Sequence, residues 1–251
     1  MGANATTPRT TTAGLEGLWG GLKSGWQRLL SHRAIKELEL RASFDLDLLA
    51  PSRVNSRIPL GMVPDCPKCQ DICCAGIENV VSLRLSDIAM LIDIEQTALI
   101  SRKKPRFPAS MLDERPMLRE MVASQLWRTL PVMKQLGQDR LCAALTPELS
   151  CGLHPHWPLS CERFPYSLIA ARREIVWGSR CASKKMTSEA VPRSAEMRTA
   201  AIDVYNERIK DAVLLAHARP ELEKLGIAQF LTGPDEDPFE PAVKTRLPIV
   251  D

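Results

Sequence analysis

Apolar residues recur three or four positions apart in three long stretches of the chain, with polar residues between them. That spacing keeps the apolar side chains on one face of an α-helix, which is typical of a helix packed on a core. The pattern therefore predicts helices over 15–30, 111–136 and 194–218, the last ending before Pro220. We expect the apolar face of the 15–30 helix to pack on the body of the protein; a protein partner or a membrane surface is the alternative.

The 111–136 helix contains a proline, Pro131. Because proline donates no backbone hydrogen bond, we expect a kink there, and Gly137 suits the end of the helix. The expected core faces of the two longer helices are Leu118, Met121, Val122, Leu126, Leu130 and Met133 in one, and Ala201, Val204, Tyr205, Ile209, Ala212 and Val213 in the other.

Shorter patterns lie between the long ones. The stretch VVSLRLSDIAMLIDI, which begins at Val80, predicts a strand and then a helix with Ser86 as its N-cap. The buried side of that helix is expected to hold Ile88, Leu91 and Ile92. Residues 166–171 and 174–177 predict a β-hairpin, with Cys181 just beyond its end.

These elements predict an α+β fold, mainly helical, with a Cys-rich irregular metal-binding centre and a few short strands. The expected regions are a disordered tail at 1–14, an amphipathic helix and approach segment at 15–60, a cysteine-cluster metal-binding region at 61–185, a helical region packing on the core at 186–232, and a Pro-rich acidic tail at 233–251.

Composition excludes several classes of protein. The 251 residues are 45% hydrophobic and 25% charged, so the chain can bury a core without disulfides. The net charge is +3, and no basic stripe is interleaved with aromatics, so we expect no nucleic-acid partner. The densest basic run, 102–104, predicts a solvated loop. Because neither an apolar signal core nor a run of roughly 18 apolar residues is visible, we expect no transmembrane segment and a cytoplasmic location.

The eight cysteines fall into two sets. The first, in PDCPKCQDICC, is Cys66, Cys69, Cys73 and Cys74, and the second is Cys142, Cys151, Cys161 and Cys181. In a reducing compartment, clustered cysteines bind metal or exchange thiols more often than they form structural disulfides. All eight are candidate ligands of zinc or iron, including an iron–sulfur cluster. The adjacent Cys73 and Cys74 favour a multinuclear centre or two neighbouring sites over one four-thiolate ion.

Three motifs occur in a characteristic order: PDCPKCQDICC, VSLRLSDIAMLI and RLCAALTPELSCGLHPHWPLSCERFPY. Together they resemble the YkgJ-like cysteine-cluster family of zinc- or iron-chelating proteins, over about half of the chain, from Cys66 to Cys181. The resemblance implies that both cysteine sets bind metal and that Asp87 opens a helix. Trp157 departs from the family, which has Arg there, so the resemblance implies no anion-pairing or positioning role at this position.

Other functions stay open at this point. The cysteine pattern is also similar to that of the flagellin lysine N-methylase family, which implies an iron–sulfur-dependent modifying enzyme; however, the sequence shows no Gly-rich loop after a strand. Thiol exchange at Cys66 and Cys69 would require a thioredoxin-like βαβ pattern, which the surrounding sequence lacks. His154 and His156 lie between two cysteines and are either ligands or hydrogen-bond partners of ligands.

Overall fold

The computed structural model describes residues 10–31, 48–65, 73–178, 181–233, 236 and 239–240, with only the backbone described at 25–31, 117 and 239–240. Cys66 and Cys69 therefore lie outside the described residues, as does most of the two predicted tails.

The helices and strands confirm the predicted α+β class. The α-helices of the described residues are α1 (Thr10–Ser31), α2 (Leu85–Asp93), α3 (Ala109–Glu114), α4 (Pro116–Ala123), α5 (Gln125–Thr129), α6 (Leu159–Glu162), α7 (Val191–His217) and α8 (Arg219–Lys224). The strands are β1 (Asn55–Ser56), β2 (Met62–Pro64), β3 (Ile100–Ser101), β4 (Lys104–Pro105), β5 (Val132–Met133), β6 (Gln135–Leu136), β7 (Leu141–Cys142), β8 (Tyr166–Ile169), β9 (Glu174–Trp177), β10 (Lys184–Met186) and β11 (Phe239–Glu240).

The strands form small separate sheets. The largest has the order β1-β9-β8, with β1 parallel and β8 antiparallel to β9. The pairs β2 with β10, β3 with β5 and β6 with β7 are antiparallel, and β11 runs parallel to β4. Since none of these sheets is wide, the helices must supply most of the core.

The main core forms where α1, α2, α7 and α8 meet. Leu15, Ile88, Leu214 and Leu222 belong to one cluster of buried residues there. A second cluster, around Tyr166, packs the hairpin against α7, and a third surrounds Trp127 of α5. The apolar face of α1 thus packs on the body of the protein, as expected; a further partner for this helix stays a prediction.

The first helix begins earlier than the pattern predicted. It starts at Thr10, so residues 10–14 are helical and do not belong to a disordered tail. The reason lies in α2, where the Asp93 carboxylate accepts the backbone N–H groups of Thr11 and Thr12 at 3.0 Å each. A remote carboxylate at a helix N-terminus cannot be read from the local pattern.

The predicted 111–136 helix is wrong. The chain there forms α3, α4 and α5, followed by the strands β5 and β6. Arg115 precedes a proline and adopts φ −129° and ψ 80°, outside the helical region, which separates α3 from α4. Ser124 then caps α5, and Pro131 is followed by a strand rather than a kinked helix. Of the expected core face, Leu130 and Met133 are fully buried.

Of the other sequence predictions, some are confirmed and some are wrong. The hairpin and the helix over 194–218 are confirmed as β8–β9 and α7, although Pro220 lies in the first turn of α8. Val80 and its neighbours form only an isolated bridge at Ser82 instead of a strand. Lys104, expected in a solvated loop, is fully buried. No helix among the described residues is long and apolar enough to cross a membrane.

Candidate metal centre

Three of the predicted ligand cysteines are joined through the backbone. The N–H of Cys142, in β7, donates to the carbonyl of Cys74 with an N···O distance of 2.7 Å. The chain then turns back, and Leu145 forms an antiparallel bridge with Cys151. This pairing brings one cysteine of the first set beside two of the second.

Cys161 completes the group from a separate element, the short helix α6. Burial raises the pKa of the Cys161 thiol well above its ordinary value, and the negative charges of Cys142, Asp87, Cys74 and Cys151 raise it further. All three partner cysteines therefore lie within electrostatic reach of Cys161. We call Cys74, Cys142, Cys151 and Cys161 the four-thiol group.

The four-thiol group has an unfavourable charge environment when its thiols ionise. Burial, and then the neighbouring Cys151, also raises the pKa of Cys142. Thiolates confined together repel one another, so each disfavours ionisation of the next. A bound cation reverses this effect, because it attracts every thiolate and releases their protons.

Asp87 is a buried acid whose negative charge acts on Cys161 of the four-thiol group. It is buried in α2 with 4% of its surface exposed. Its Oδ2 accepts the N–H of Arg84 and its Oδ1 accepts the N–H of Leu159, both at 2.8 Å. Burial raises the pKa of Asp87 to about 6, against the opposing effect of those two hydrogen bonds. Arg84, not the predicted Ser86, is the N-cap residue of α2.

A second buried acid holds the same end of α2 from the other side. Asp211, in α7, accepts the N–H of Leu85 at 3.1 Å and the Arg84 guanidinium at 3.3 Å. Burial raises the pKa of Asp211, and the charge of Arg84 opposes that rise. The N-terminus of α2 is thus fixed between α6 and α7.

Cys181 lies in a different neighbourhood. Its thiol donates to the Ser183 carbonyl at 3.2 Å, and the indole N–H of Trp177 donates to the Cys181 carbonyl at 2.7 Å. Two hydrogen bonds join Ser183 to Asp65, the residue that precedes Cys66 in the chain. The N–H of Asp65 donates to the Ser183 carbonyl, and the Ser183 hydroxyl donates to the Asp65 carbonyl. Cys181 is therefore positioned near Asp65, the residue before the first cysteine set.

The remaining predicted site residues that the structure describes differ in their exposure and contacts. Cys73 is exposed, beside the half-buried Cys74. His154 is exposed, with its ring edge-on to Trp157 at a centroid distance of 4.8 Å. His156 is half-buried and donates its backbone N–H to Leu153.

The Trp157 ring is covered by an arginine from elsewhere in the fold. The guanidinium of Arg193, in α7, lies over the Trp157 ring at 4.6 Å from its centroid, a cation–π contact. Arg193 also donates to the carbonyl of Glu162, in the helix that carries Cys161. A positive charge is thus present on this side of α6.

The donors of the four-thiol group fit zinc or an iron–sulfur cluster in kind, since both are held by cysteine sulfur. No group of three or more His, Cys, Asp or Glu side chains is arranged to hold a metal ion among the described residues, which leave out Cys66 and Cys69. Compared with protein-family models, curated proteins and solved structures, the chain matches none of them.

Proposed function

We propose that the protein binds zinc or iron, the latter as an ion or an iron–sulfur cluster, through cysteines of both sets, as the resemblance to the YkgJ-like family implies. The observation that supports this proposal most is the backbone pairing that places Cys74 beside Cys142 and connects the chain there to Cys151, together with the effect of their charges on Cys161. We further propose a cytoplasmic location, because a reducing compartment keeps such thiols available for metal.

The chemistry of the donors supports these metals over others. Thiolates are soft ligands that select zinc, copper(I) or iron–sulfur clusters over magnesium or calcium. Cys142, Cys151 and Cys161 form no disulfide among the described residues, so their sulfurs remain available as ligands. The four-thiol group matches a tetrahedral zinc ion or a cluster in its number of sulfurs, and its side chains would reorient on binding, because no three of them are arranged to hold an ion in the described residues.

We assign the other four cysteines, Cys66, Cys69, Cys73 and Cys181, to the same centre or to a second site beside it. The contacts between Ser183 and Asp65 support this assignment, because they hold the chain near Cys181 against the residue before Cys66.

Elemental analysis of the anaerobically purified protein, with its visible absorption spectrum, tests the proposal. Zinc in a colourless sample supports a zinc site; iron with acid-labile sulfide and a broad violet-blue band supports a cluster. Cys161→Ser should remove most of the metal, because a serine hydroxyl is a far poorer ligand for these metals than a thiolate.

Ser160→Ala is the matched control, since it changes the neighbouring residue of α6 and leaves every thiol in place. It should retain the wild-type metal content. Wild-type protein without stoichiometric zinc or iron would overturn the proposed function, and full metal content in Cys161→Ser would remove Cys161 from the ligand set.

A further inference from the structure

We infer that Asp87 is a positioning residue of the proposed centre, which holds Cys161 in place through the backbone of α6. The inference rests on the proposed function for the role of the centre, but the contact itself is independent of metal. Asp87 lies in α2, between the two cysteine sets in sequence, and reaches a residue 72 positions away.

The helix that carries Cys161 cannot position itself. It has four residues, Leu159–Glu162, and a helix of that length has too few hydrogen bonds to be stable alone. Its N-cap residue, Pro158, makes no side-chain cap hydrogen bond. The Asp87 Oδ1 instead accepts the N–H of Leu159, the first residue of α6, at 2.8 Å. Asp87 therefore acts as an N-cap supplied by a distant part of the chain.

A second hydrogen bond fixes the orientation of the Asp87 carboxylate. Its second oxygen accepts the N–H of Arg84 at 2.8 Å, so both oxygens are engaged by backbone donors. Burial of the side chain strengthens both hydrogen bonds, because water does not compete for them. With both oxygens accepting backbone N–H groups, Asp87 fixes the orientation of the helix that carries Cys161.

The first test removes only the donor. Leu159→Pro deletes the N–H that bonds to Asp87, at the first position of a helix, where proline is accommodated. Leu159→Ala is the matched control, because it removes the side chain and keeps the N–H. In metal-free, reduced protein we expect iodoacetamide to alkylate Cys161 about tenfold faster in Leu159→Pro than in Leu159→Ala, the factor that the loss of one hydrogen bond represents. Cys151 serves as the internal reference in peptide mass spectrometry.

The second test compares two buried acids at the same helix end. Asp87→Asn turns one acceptor oxygen into a donor that faces a backbone N–H, so Cys161 should again be alkylated faster. Asp211→Asn alters the other acid that contacts the start of α2, but Asp211 reaches that end from α7, and its hydrogen bonds go to Arg84 and Leu85 and not to α6. It should lower global stability without changing the ratio of Cys161 to Cys151 alkylation.

A measurement of metal binding distinguishes this inference from the proposed function. With cobalt(II) as the probe, the thiolate-to-cobalt absorption should report at least about tenfold weaker binding in Asp87→Asn, in the range typical of residues that orient ligands, and wild-type binding in Asp211→Asn. If wild-type protein binds no cobalt and contains no zinc or iron, the proposed function fails, while the alkylation tests still decide whether Asp87 positions Cys161.

Two results would overturn the inference. One is equal alkylation of Cys161 in Leu159→Pro and Leu159→Ala. The other is an equal effect of Asp87→Asn and Asp211→Asn on Cys161 at matched stability, which would make Asp87 an ordinary structural residue of α2.

Discussion

Lys104 shows how much a single residue can depart from its sequence context. It is fully buried, although Lys103 beside it is exposed. Its Nζ donates to the carbonyl of Arg128 at 3.1 Å and lies 3.4 Å from the Thr232 hydroxyl. It also sits 5.7 Å from the centroid of the Trp127 ring. Burial lowers the pKa of Lys104 from 10.5 to about 8, because no water solvates the ammonium.

This pKa predicts how stability changes at alkaline pH. Between about pH 8 and 10.5 the unfolded chain holds a proton at Lys104 that the native protein has lost, so the free energy of unfolding should rise with pH across that window. The rise attributable to Lys104 should approach about 3 kcal/mol. It should be missing in Lys104→Met and retained in the exposed control Lys103→Met, as measured by urea unfolding in reductant. Parallel curves for the two variants would contradict the assignment.

The sequence could not distinguish Lys104 from its neighbours. Arg102, Lys103 and Lys104 form one basic run, and nothing local marks which member is buried. The buried position is set by β4, which pairs with β11, and by α5, which supplies Trp127 and Arg128. Both contacts come from distant parts of the chain, so they lie beyond a local pattern.

At the scale of elements, α1 depends on one carboxylate. The hydrogen bonds from Thr12 and Thr11 lower the pKa of Asp93, against an opposing effect of burial, so the native protein favours the charged form. Asp93→Ala should reduce the free energy of unfolding by about 1 kcal/mol and speed hydrogen exchange in the first turns of α1. Since the native pKa is depressed, the wild-type advantage should be present above about pH 4 and lost as the pH falls below it.

Asp113→Ala is the control for that change. Asp113 pairs with Arg119 at 3.8 Å on the exposed surface, and such pairs contribute little. An equal loss of stability in Asp113→Ala and Asp93→Ala would mean that the capping contact adds nothing beyond surface charge.

The start of α5 gives a second prediction at this scale. The Ser124 hydroxyl accepts the N–H of Trp127 at 3.2 Å and donates to the carbonyl of Met121 at 2.6 Å. Ser124→Ala should therefore cost about 1 kcal/mol in thermal or urea unfolding, because the cap orients the buried Trp127. Ser110→Ala, an exposed serine in α3, should be close to neutral. A neutral Ser124→Ala would show that packing alone holds α5.

The elements that the sequence predicted well are those whose pattern and boundaries agree. The 194–218 helix and the hairpin are bounded by clear signals, and both are present. In the 111–136 stretch, apolar residues keep helical spacing across Pro116 and Ser124. A new helix begins at Pro116 and another directly after Ser124, so the spacing wrongly predicted one continuous helix. Its last residues are strands because they pair with β3 and β7, a contact that periodicity does not encode.

At the scale of the whole molecule, the proposed centre should contribute to stability. A metal bound only by the native protein stabilises it by about 3 kcal/mol at a free concentration 100 times its dissociation constant. A chelator should therefore lower the unfolding temperature of the wild type and of Ser160→Ala. It should leave Cys161→Ser unchanged, as measured by calorimetry. An equal chelator effect in all three proteins would place the stabilising metal elsewhere.

The cysteines of the candidate centre could be chosen from the sequence, but not their grouping. Spacing alone did not group Cys74 with Cys142 and Cys151, because backbone pairing between distant segments decides which cysteine-bearing segments lie side by side. Asp211 was also missed. The available signal was its position seven residues after Val204, which places an acid on the apolar face of α7.

The hydrogen bond from Cys142 to Cys74 and the contact from Leu159 to Asp87 join segments that are synthesised at different times. Cys74 is made 87 residues before Cys161. At ribosomal speeds of roughly 5–20 residues per second, Cys161 is added about 4–17 s after Cys74. A metal centre that needs Cys161 could therefore be completed only late in translation or after release, and until then the cysteines of the nascent chain would have to stay reduced to serve as ligands.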